Sequence, residues 1–440
     1  MLKPIIFKNG LTVLRLPRQN SRACVIGFVV ASGSSYEYGY FPQGISYLIE
    51  RMFLNGTTKY PNSRSLALAI EAIGGQFESI TTEEHMHFYL QAPSEHQYKA
   101  LSILSEIIQN SLFDPMTIER EKKKIVEEFK YRDEKLLESL NNAAMNDLFR
   151  ENGLGLPIKG NIDSIMSIKA EDVQEYIAHQ FSNDRSFLVF GGNFDNKLLL
   201  EKAEQEWLHF NPRAKRFIDA PEIIGVNEIE LPSMNYRQRG LSQTYMSISF
   251  LLPKVATPDD PISVEDRLSM MVKENFLASL IGDGLSSKLW SKVVEDEVLA
   301  HYVSAEVDQY KNTSVLKIQA IVDNSQFTFA LESILSVLEN LKKTTISINE
   351  VARTKEILKG KWIMQQEPIV SEIVWQMDNL ISLGEPLNFE DTLEVIDEID
   401  PIMVRDIANN VFVTDRLSLT TLGTAKETRL IEKLFRRYLG

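Results

Sequence analysis

The sequence contains a single cysteine, Cys24, among 440 residues. One thiol cannot form an intrachain disulfide or a cysteine-rich zinc cluster, so nothing requires an oxidising compartment and we expect a cytoplasmic protein. Long apolar runs are also missing. The longest, 23–31, is far shorter than the roughly 20 residues that cross a bilayer, so we predict no membrane span. The N-terminus leads at once into a hairpin-like segment, 8–14, and we expect no signal or transit peptide.

Basic residues are in deficit as well. The chain has 61 Asp and Glu residues against 47 Lys and Arg residues, which gives a net charge of −14. A protein that binds by neutralising phosphates carries the opposite sign, so we predict no nucleic-acid partner. Hydrophobic residues make up 44% and charged residues 25%, a composition typical of a folded chain with a large apolar core. A chain of 440 residues is expected to divide that core between two or three domains.

An internal repeat indicates how the chain is organised. In both copies a helical pattern (170–180 and 401–411) passes through an Asp-Arg turn into an apolar strand that ends at glycine. The spacing is too long for a solenoid repeat and indicates two similar domains. We predict domains at 1–210 and 231–440, joined by a linker at 211–230 that carries prolines and clustered charge. The residues that recur 231 positions later are Ile165, Ile168, Val173, Phe181, Asp184, Arg185 and Gly192, matched by Ile396, Ile399, Val404, Phe412, Asp415, Arg416 and Gly423.

Helical and strand patterns are mixed in both halves, which predicts an α+β fold. Amphipathic stretches occur at 63–73, 95–112, 117–141, 264–280, 325–342 and 348–382. Strand-like runs occur at 25–31, 86–91, 187–190, 245–252 and 315–322.

One segment, 44–57, reads Gly-Ile-Ser-Tyr-Leu-Ile-Glu-Arg-Met-Phe-Leu-Asn-Gly-Thr. It resembles the signature of the pitrilysin, insulinase and mitochondrial processing peptidase family, which are zinc peptidases with an inverted HxxEH motif. The resemblance implies two similar α+β domains, each a mostly antiparallel sheet flanked by helices, in agreement with the repeat. It covers nearly the whole chain, with further matching residues within 9–13, 33–34, 71–84, 119–128, 282–289, 299–300 and at Gly360.

The residues that carry the family's chemistry differ here. In the family, two histidines one helical turn apart bind zinc, a glutamate between them activates the bound water, and a distant glutamate completes the site. The matching residues in this chain are Tyr47, Arg51, Glu50 and Glu128. A phenol is a poor zinc ligand and a guanidinium is never one. We therefore expect no zinc at this position, no metal in this chain and no catalysis by the chain alone.

Without a metal ion, Glu50, Glu128 and Glu121 would form a costly carboxylate cluster, because Glu121 lies on the same helix face as Glu128. We predict that Arg51 compensates this charge by pairing with Glu50 or Glu128 through its planar guanidinium. The alternative is that Tyr47 and Arg51 are ordinary residues on a partly exposed helix.

The resemblance also indicates where a peptide would bind. Segment 76–81 matches the family's substrate-pairing edge strand, which implies peptide contact at Glu78, Ser79, Ile80 and Thr81. In two-chain members, the chain without the zinc motif usually contributes an arginine and a tyrosine to hold the substrate.

Those two positions fall at Val294 and His301 in this chain. Val294 cannot replace a guanidinium. His301 could donate a hydrogen bond as a tyrosine does, but a structural or solvated histidine is the favoured interpretation.

Three functions remain open at this point. The favoured one is a non-catalytic subunit that encloses and positions an extended peptide for a zinc-bearing homologous partner, with the zinc in that partner and no cofactor in this chain. The alternative is a stand-alone or homodimeric peptide-binding or assembly protein, which the loss of the arginine and tyrosine favours. The third is an active peptidase with a relocated metal site.

Another group of residues superficially resembles a metal site. Glu83, His85 and His87 alternate along a predicted strand, so they would share one face. Because two histidines on a half-exposed strand more often face solvent, we expect these two to do so.

Overall fold

The computed structural model describes residues 3–132, 135–150, 152–210, 231–252, 263–424 and 428–439. These residues form two compact units, each built on one β-sheet with flanking helices. The predicted linker at 211–230 lies outside the described residues. The α+β prediction is confirmed.

Both sheets are mostly antiparallel, with one parallel pair each. The first has the order β1-β2-β6-β3-β5-β4 and the second the order β7-β11-β8-β10-β9, so β4 and β9 are edge strands. The strands are β1 Ile5–Ile6, β2 Thr12–Pro17, β3 Ala23–Val30, β4 Gln76–Thr81, β5 Met86–Pro93, β6 Ser186–Gly192, β7 Ser233–Gln238, β8 Gln243–Leu251, β9 Ala300–Gln309, β10 Ser314–Asp323 and β11 Leu417–Gly423.

The helices are α1 Ile45–Met52, α2 Ser63–Glu71, α3 Gln97–Asn110, α4 Pro115–Arg132, α5 Leu136–Phe149, α6 Ile162–Ser167, α7 Ala170–Gln180, α8 Asn196–Glu206, α9 Val264–Gly282, α10 Phe327–Lys343, α11 Ile348–Gln366, α12 Ile369–Leu383, α13 Phe389–Glu398, α14 Pro401–Val411 and α15 Thr428–Tyr438. The repeat offset of 231 residues superimposes α7 on α14 and β6 on β11 end to end. No helix among the described residues is long and apolar enough to cross a membrane.

Each unit contains one helix from the other half of the chain. Among the described residues, one unit holds 3–132, 152–210 and 366–381, and the other holds 135–150, 231–252, 263–365, 382–424 and 428–439. Helix α5 therefore packs on β8 and β11 of the second sheet, whereas α12 packs on the first sheet. The predicted contiguous domains, 1–210 and 231–440, did not include this exchange.

The exchange depends on breaks in two stretches that the sequence pattern predicted as continuous. Stretch 348–382 is divided into α11 and α12, because Pro368 lacks a backbone N–H and its ring excludes the helical conformation before it. Stretch 117–141 is divided into α4 and α5.

The first sheet is buried on both faces. Its central strand β3 is apolar over nearly its whole length, as expected for a strand without a solvent face. One face packs on helices of the N-terminal half in a large cluster that includes Phe28, Leu48 and Phe88. The other face packs on Ile373 and Met377 of α12. Gly191 lies beneath this helix, where a Cβ atom would come within 2.7 Å of Ile373.

Candidate functional site

Helix α1 carries the residues that match the family's zinc motif, and the start of this helix is tightly fixed. Gly44 adopts a φ of +87°, and a Cβ atom there would lie 2.7 Å from the Lys159 carbonyl oxygen. The buried Glu37 carboxyl accepts the backbone N–H groups of Gly44 and Ser46 at 2.6 and 2.9 Å. Burial raises the pKa of Glu37 to about 8, although these hydrogen bonds oppose the rise.

Arg51 lies at the centre of the site. Its Nη1 atom is 2.6 Å from Glu128 Oε1, and Nε and Nη2 are each 3.4 Å from Glu121 Oε2. The pairing that we predicted with Glu128 is confirmed, and Glu121 is the second partner instead of Glu50. Because Glu121 and Glu128 are seven residues apart on α4, both face α1. Lys124 also contacts Glu121, so the buried carboxylate has two cationic neighbours.

Tyr47 completes this cluster. Its hydroxyl donates to Glu128 Oε2 at 3.2 Å and accepts from Arg51 Nη1 at 3.3 Å. Burial and the Glu128 charge raise the pKa of Tyr47, so the phenol stays protonated at neutral pH. Burial lowers the pKa of Arg51, but Tyr47 and Glu128 outweigh this and raise it overall. Tyr47 and Arg51 are therefore partners in one hydrogen-bonded network, and the alternative that they are ordinary residues on a partly exposed helix is wrong.

Glu50 has a different environment. Its two carboxylate oxygens accept the hydroxyls of Ser79 at 2.8 Å and Thr81 at 2.5 Å, both from edge strand β4. The side chain that activates water in the family thus connects α1 to β4 here. Of the two partners that we predicted for Arg51, Glu128 is the one observed, and these hydroxyls satisfy the Glu50 carboxylate instead.

This donor set does not fit a zinc ion. The cationic Arg51 side chain bridges the two α4 carboxylates that would face the ion. A guanidinium offers no ligand lone pair, and a protonated phenol is a poor zinc ligand. The arrangement is a charge-compensated bridge between α1 and α4, and no hydrolytic step can be derived from it.

The predicted peptide-contacting segment coincides with β4. This strand pairs only with β5 among the described strands, which leaves its outer edge accessible. Glu78 and Ile80 are exposed, whereas Ser79 and Thr81 turn towards α1. The geometry suits addition of an extended chain, and peptide contact by these four residues stays a prediction.

Val294 and His301 lie in the second unit. Val294 is half-buried in a π-helical segment, Trp290–Asp296. His301 is exposed on β9, and its Nε2 atom lies 3.0 Å from Asp323 Oδ1. The surface pair with Asp323 agrees with the interpretation of His301 as a solvated histidine, and catalytic assistance by it stays untested.

The expectation that His85 and His87 face solvent is wrong. The His87 side chain is 1% exposed and that of His85 13% exposed. Helix α12 covers them and brings Asp378 to His85, with 3.0 Å between Oδ1 and Nε2. Asp378 is 291 residues beyond His87 in the chain, so no local pattern could have revealed it.

The fold and the α1–α4 site define a duplicated α+β protein with the architecture of a metallopeptidase and an arginine bridge at the metal position. The protein-family models that match the chain agree with this architecture. The model described as Insulinase (Peptidase family M16) matches residues 13–161, and the model described as Peptidase M16 inactive domain matches residues 167–358. The chain belongs to the pitrilysin and insulinase peptidase family, M16.

Relatives and solved structures span almost the whole chain. An uncharacterised zinc protease of Bacillus subtilis is 23% identical and covers 94% of this chain and 97% of its own length. The beta subunit of the mitochondrial-processing peptidase of Dictyostelium discoideum is 25% identical and covers 94% of this chain and 87% of its own length.

Among solved structures, a peptidase M16 inactive domain from Pseudomonas fluorescens has a TM-score of 0.81 at 18% identity, with 97% of this chain and 98% of that chain covered. A chain of complex III2 from Candida albicans has a TM-score of 0.78 at 16% identity, with 99% of this chain and all of that chain covered. These structures share the fold.

Proposed function

We propose that this protein is a non-catalytic subunit of a two-chain peptidase, in which it positions an extended peptide for a zinc-bearing homologue. The observation that carries the proposal is the Arg51 bridge to Glu121 and Glu128, because it replaces the metal ligands with a satisfied ion-pair network. The ion pairs stabilise this site without a metal ion or catalytic activity. This is expected for a subunit that keeps the fold while its partner cleaves the peptide.

The peptide is proposed to add to the outer edge of β4. Backbone groups at a sheet edge bind any extended chain, and side chains along the strand select among sequences. Exposed Ile80 offers an apolar contact, and Glu78 together with the net charge of −14 favours neutral or basic peptides. The Glu50 bonds to Ser79 and Thr81 hold this strand on α1, which preforms the edge.

A partner subunit is supported by relatives. Two relatives are named as the beta subunit of the mitochondrial-processing peptidase, and a structural neighbour belongs to complex III2. We place the zinc in the partner and the assembly in a reducing compartment such as the cytoplasm. Burial of Cys24 raises the pKa of its thiol to about 11, so the thiol is unreactive. Cys24 is therefore compatible with a reducing or an oxidising compartment.

The direct test is reconstitution. The purified chain, and the same chain mixed with an HxxEH-bearing homologue from the same organism, should be assayed for metal content and for cleavage of a library of extended peptides. We expect no cleavage by the chain alone and a large rise on mixing. Cleavage by the chain alone would refute the proposal, as would a homologue whose activity is the same with and without it.

The role of β4 can be tested separately with Ile80→Lys. The added charge should weaken binding of a neutral extended peptide at least several-fold, measured by fluorescence anisotropy. Ile6→Lys is the matched control, because Ile6 is 70% exposed on β1 at the opposite edge of the same sheet. Equal losses in the two variants would exclude β4 as the peptide site.

A second function is favoured by one observation. Val294 and His301 lack the side chains that helper subunits of the family usually supply, which points to a stand-alone or homodimeric peptide-binding protein. In that case the chain would bind peptide and self-associate with no response to the HxxEH homologue. Sedimentation of the chain alone and of the mixture distinguishes the two.

A further inference from the structure

His85, His87 and Asp378 converge beneath α12, away from the Arg51 network. The Nε2 atoms of His85 and His87 lie 3.0 and 3.9 Å from Asp378 Oδ1. One ligand atom from each residue can be chosen so that all three fall within 4.8 Å of one another. Two ligands about 2.0–2.2 Å from a shared ion are at most about 4.4 Å apart, so the 3.0 and 3.9 Å separations from Asp378 are compatible with one metal.

The other ring nitrogens already have partners. Tyr89 hydroxyl bonds Nδ1 of His87, and Thr82 Oγ1 lies 3.0 Å from Nδ1 of His85. A ligating histidine usually holds its second nitrogen in such a bond, which fixes the ring and the tautomer. His85 Nε2 is therefore oriented towards Asp378. His87 Nε2 lies 2.5 Å from His85 Nδ1 and 3.9 Å from Asp378 Oδ1, so a metal ion bound to it would replace its contact with the His85 ring.

The charges around the cluster favour a cation. Asp378 Oδ1 is enclosed, and no described group donates to it with hydrogen-bond geometry, although His85 Nε2 lies 3.0 Å away. The carboxylates of Asp378, Glu84 and Glu83 all place negative charge near His85, which favours a cation at this cluster.

The second unit holds a buried cation at the matching place. His87 is ten residues before α3, and Lys317 is ten residues before α10. Lys317 is 3% exposed, contacts Asp308 at 2.6 Å and Glu306 at 3.0 Å, and donates to Asn141 of the exchanged helix α5 at 2.7 Å. In both units, the residue ten positions before the following helix is polar and lies against the helix exchanged from the other half of the chain. This residue is His87 beside α12 in the first unit and Lys317 beside α5 in the second.

We propose that His85, His87 and Asp378 bind one divalent transition-metal ion that fastens α12 to β5. Two imidazoles and a carboxylate are a donor set that suits Zn²⁺ and Co²⁺, and disfavours Ca²⁺ and Mg²⁺, which require oxygen ligands. The role is structural, because His87 is fully covered and α12 comes from a distant part of the chain. This site goes beyond the proposed subunit function and does not depend on it.

The test uses the full chain, stripped of metal with a chelator and dialysed. Co²⁺ is titrated with visible absorption as the readout, and Zn²⁺ by calorimetry. We expect one ion per chain, absorption bands of four- or five-coordinate Co²⁺, and a thermal midpoint that rises with Zn²⁺. Asp378→Asn should weaken binding at least about tenfold and abolish the Zn²⁺-dependent rise. Its side chain is 45% exposed, so the variant is expected to fold.

His301→Ala is the matched control, because His301 and Asp323 form a surface His–Asp pair with the same 3.0 Å separation but no second histidine. This variant should bind Co²⁺ as the unmodified chain does. His87→Gln is a second test variant and should weaken metal binding as Asp378→Asn does. Absence of stoichiometric binding by the unmodified chain would overturn the proposal, as would an unchanged affinity in Asp378→Asn. Peptide cleavage in the reconstituted mixture is a separate readout, so the two proposals can fail independently.

Discussion

At the scale of the residue, Arg51 determines the character of the inherited site. It lies between a nearly buried carboxylate, Glu121, which is 3% exposed, and the more exposed Glu128. Removing Arg51 would leave the buried Glu121 carboxylate with exposed Lys124 as its remaining cationic neighbour, so a desolvated charge would be only partly compensated. The bridge is therefore a structural requirement in this chain.

Replacing Arg51 by Met should lower the free energy of unfolding by about 2 kcal/mol, because Glu121 loses its guanidinium partner in a desolvated position. Urea denaturation provides the measurement. Lys124→Ala is the control, because Lys124 also contacts Glu121 but is 53% exposed, so its loss should cost below about 1 kcal/mol. Similar losses for the two variants would contradict the assignment.

The double variant Tyr47→His, Arg51→His should regain zinc binding. It restores two imidazoles one helical turn apart beside Glu128, the set that the family uses. The expected result is one additional zinc per chain, removed again by Glu128→Gln. Tyr47→Phe, Arg51→Gln is the matched control, since it also removes the bridge but adds no ligand. Zinc uptake equal in both double variants would show that the α1–α4 geometry does not support the metal.

At the scale of the element, buried titratable side chains are fixed between helices and strands. Glu274 of α9 accepts Gln309 Nε2 at 3.0 Å and Ser314 Oγ at 2.9 Å, both on Oε2. Burial raises the pKa of Glu274 to about 7, against the opposing effect of these hydrogen bonds. As the pH rises, the unfolded chain loses the Glu274 proton near pH 4.5, whereas the folded chain keeps it up to about pH 7.

The contribution of Glu274 to stability should be fully present below pH 4.5 and should fall as the pH rises through about 7. Glu274→Gln keeps an oxygen for both donors and does not titrate. The unfolding free energy of the unmodified chain minus that of Glu274→Gln should decrease by about 2.5 kcal/mol between pH 5 and pH 8. A difference independent of pH would refute this.

Glu350 provides the control for that experiment. A hydrogen bond from Lys288 holds the pKa of Glu350 at about 2, so its contribution is lost only as the pH falls below about 4.5. Glu350→Gln should therefore shift stability by a constant amount between pH 5 and pH 8.

At the scale of the whole molecule, the exchange of α5 and α12 decides which surfaces are buried. Without α12, the face of the first sheet that carries Leu14, Val25 and Tyr89 loses the contacts of Ile373 and Met377. In each unit, a helix from the other half of the chain packs on the sheet. The two halves are thus mutually dependent, although each carries one copy of the repeat.

A fragment of residues 1–210 should expose this apolar face and bind a hydrophobic fluorescent dye. Adding a synthetic peptide of residues 366–383 should reduce the dye signal, because it supplies α12. The same peptide with Ile373→Asp and Met377→Asp is the control and should have no effect. A fragment that binds no dye by itself would show that α12 is dispensable for covering the sheet.

Local patterns predicted most of the elements. Strand 86–91 was found within β5, and the helix predicted at 401–411 is α14, because amphipathic period and turn residues act over short distances. The Arg51–Glu128 pair was predictable because the family resemblance places both residues at the metal position, where opposite charges would pair. The Glu50 bonds to Ser79 and Thr81 were not predicted, because they depend on how β4 approaches α1.

The sequence by itself determined the two-fold repeat, the α+β class and the absence of both zinc-binding histidines from α1, since each is a matter of residue identity and period. Only the tertiary structure decided that α5 and α12 change places and that Asp378 meets His85 and His87. The contacts of Asp378 join residues almost 300 positions apart, and burial of apolar surface specifies that a helix must cover the sheet without specifying which helix.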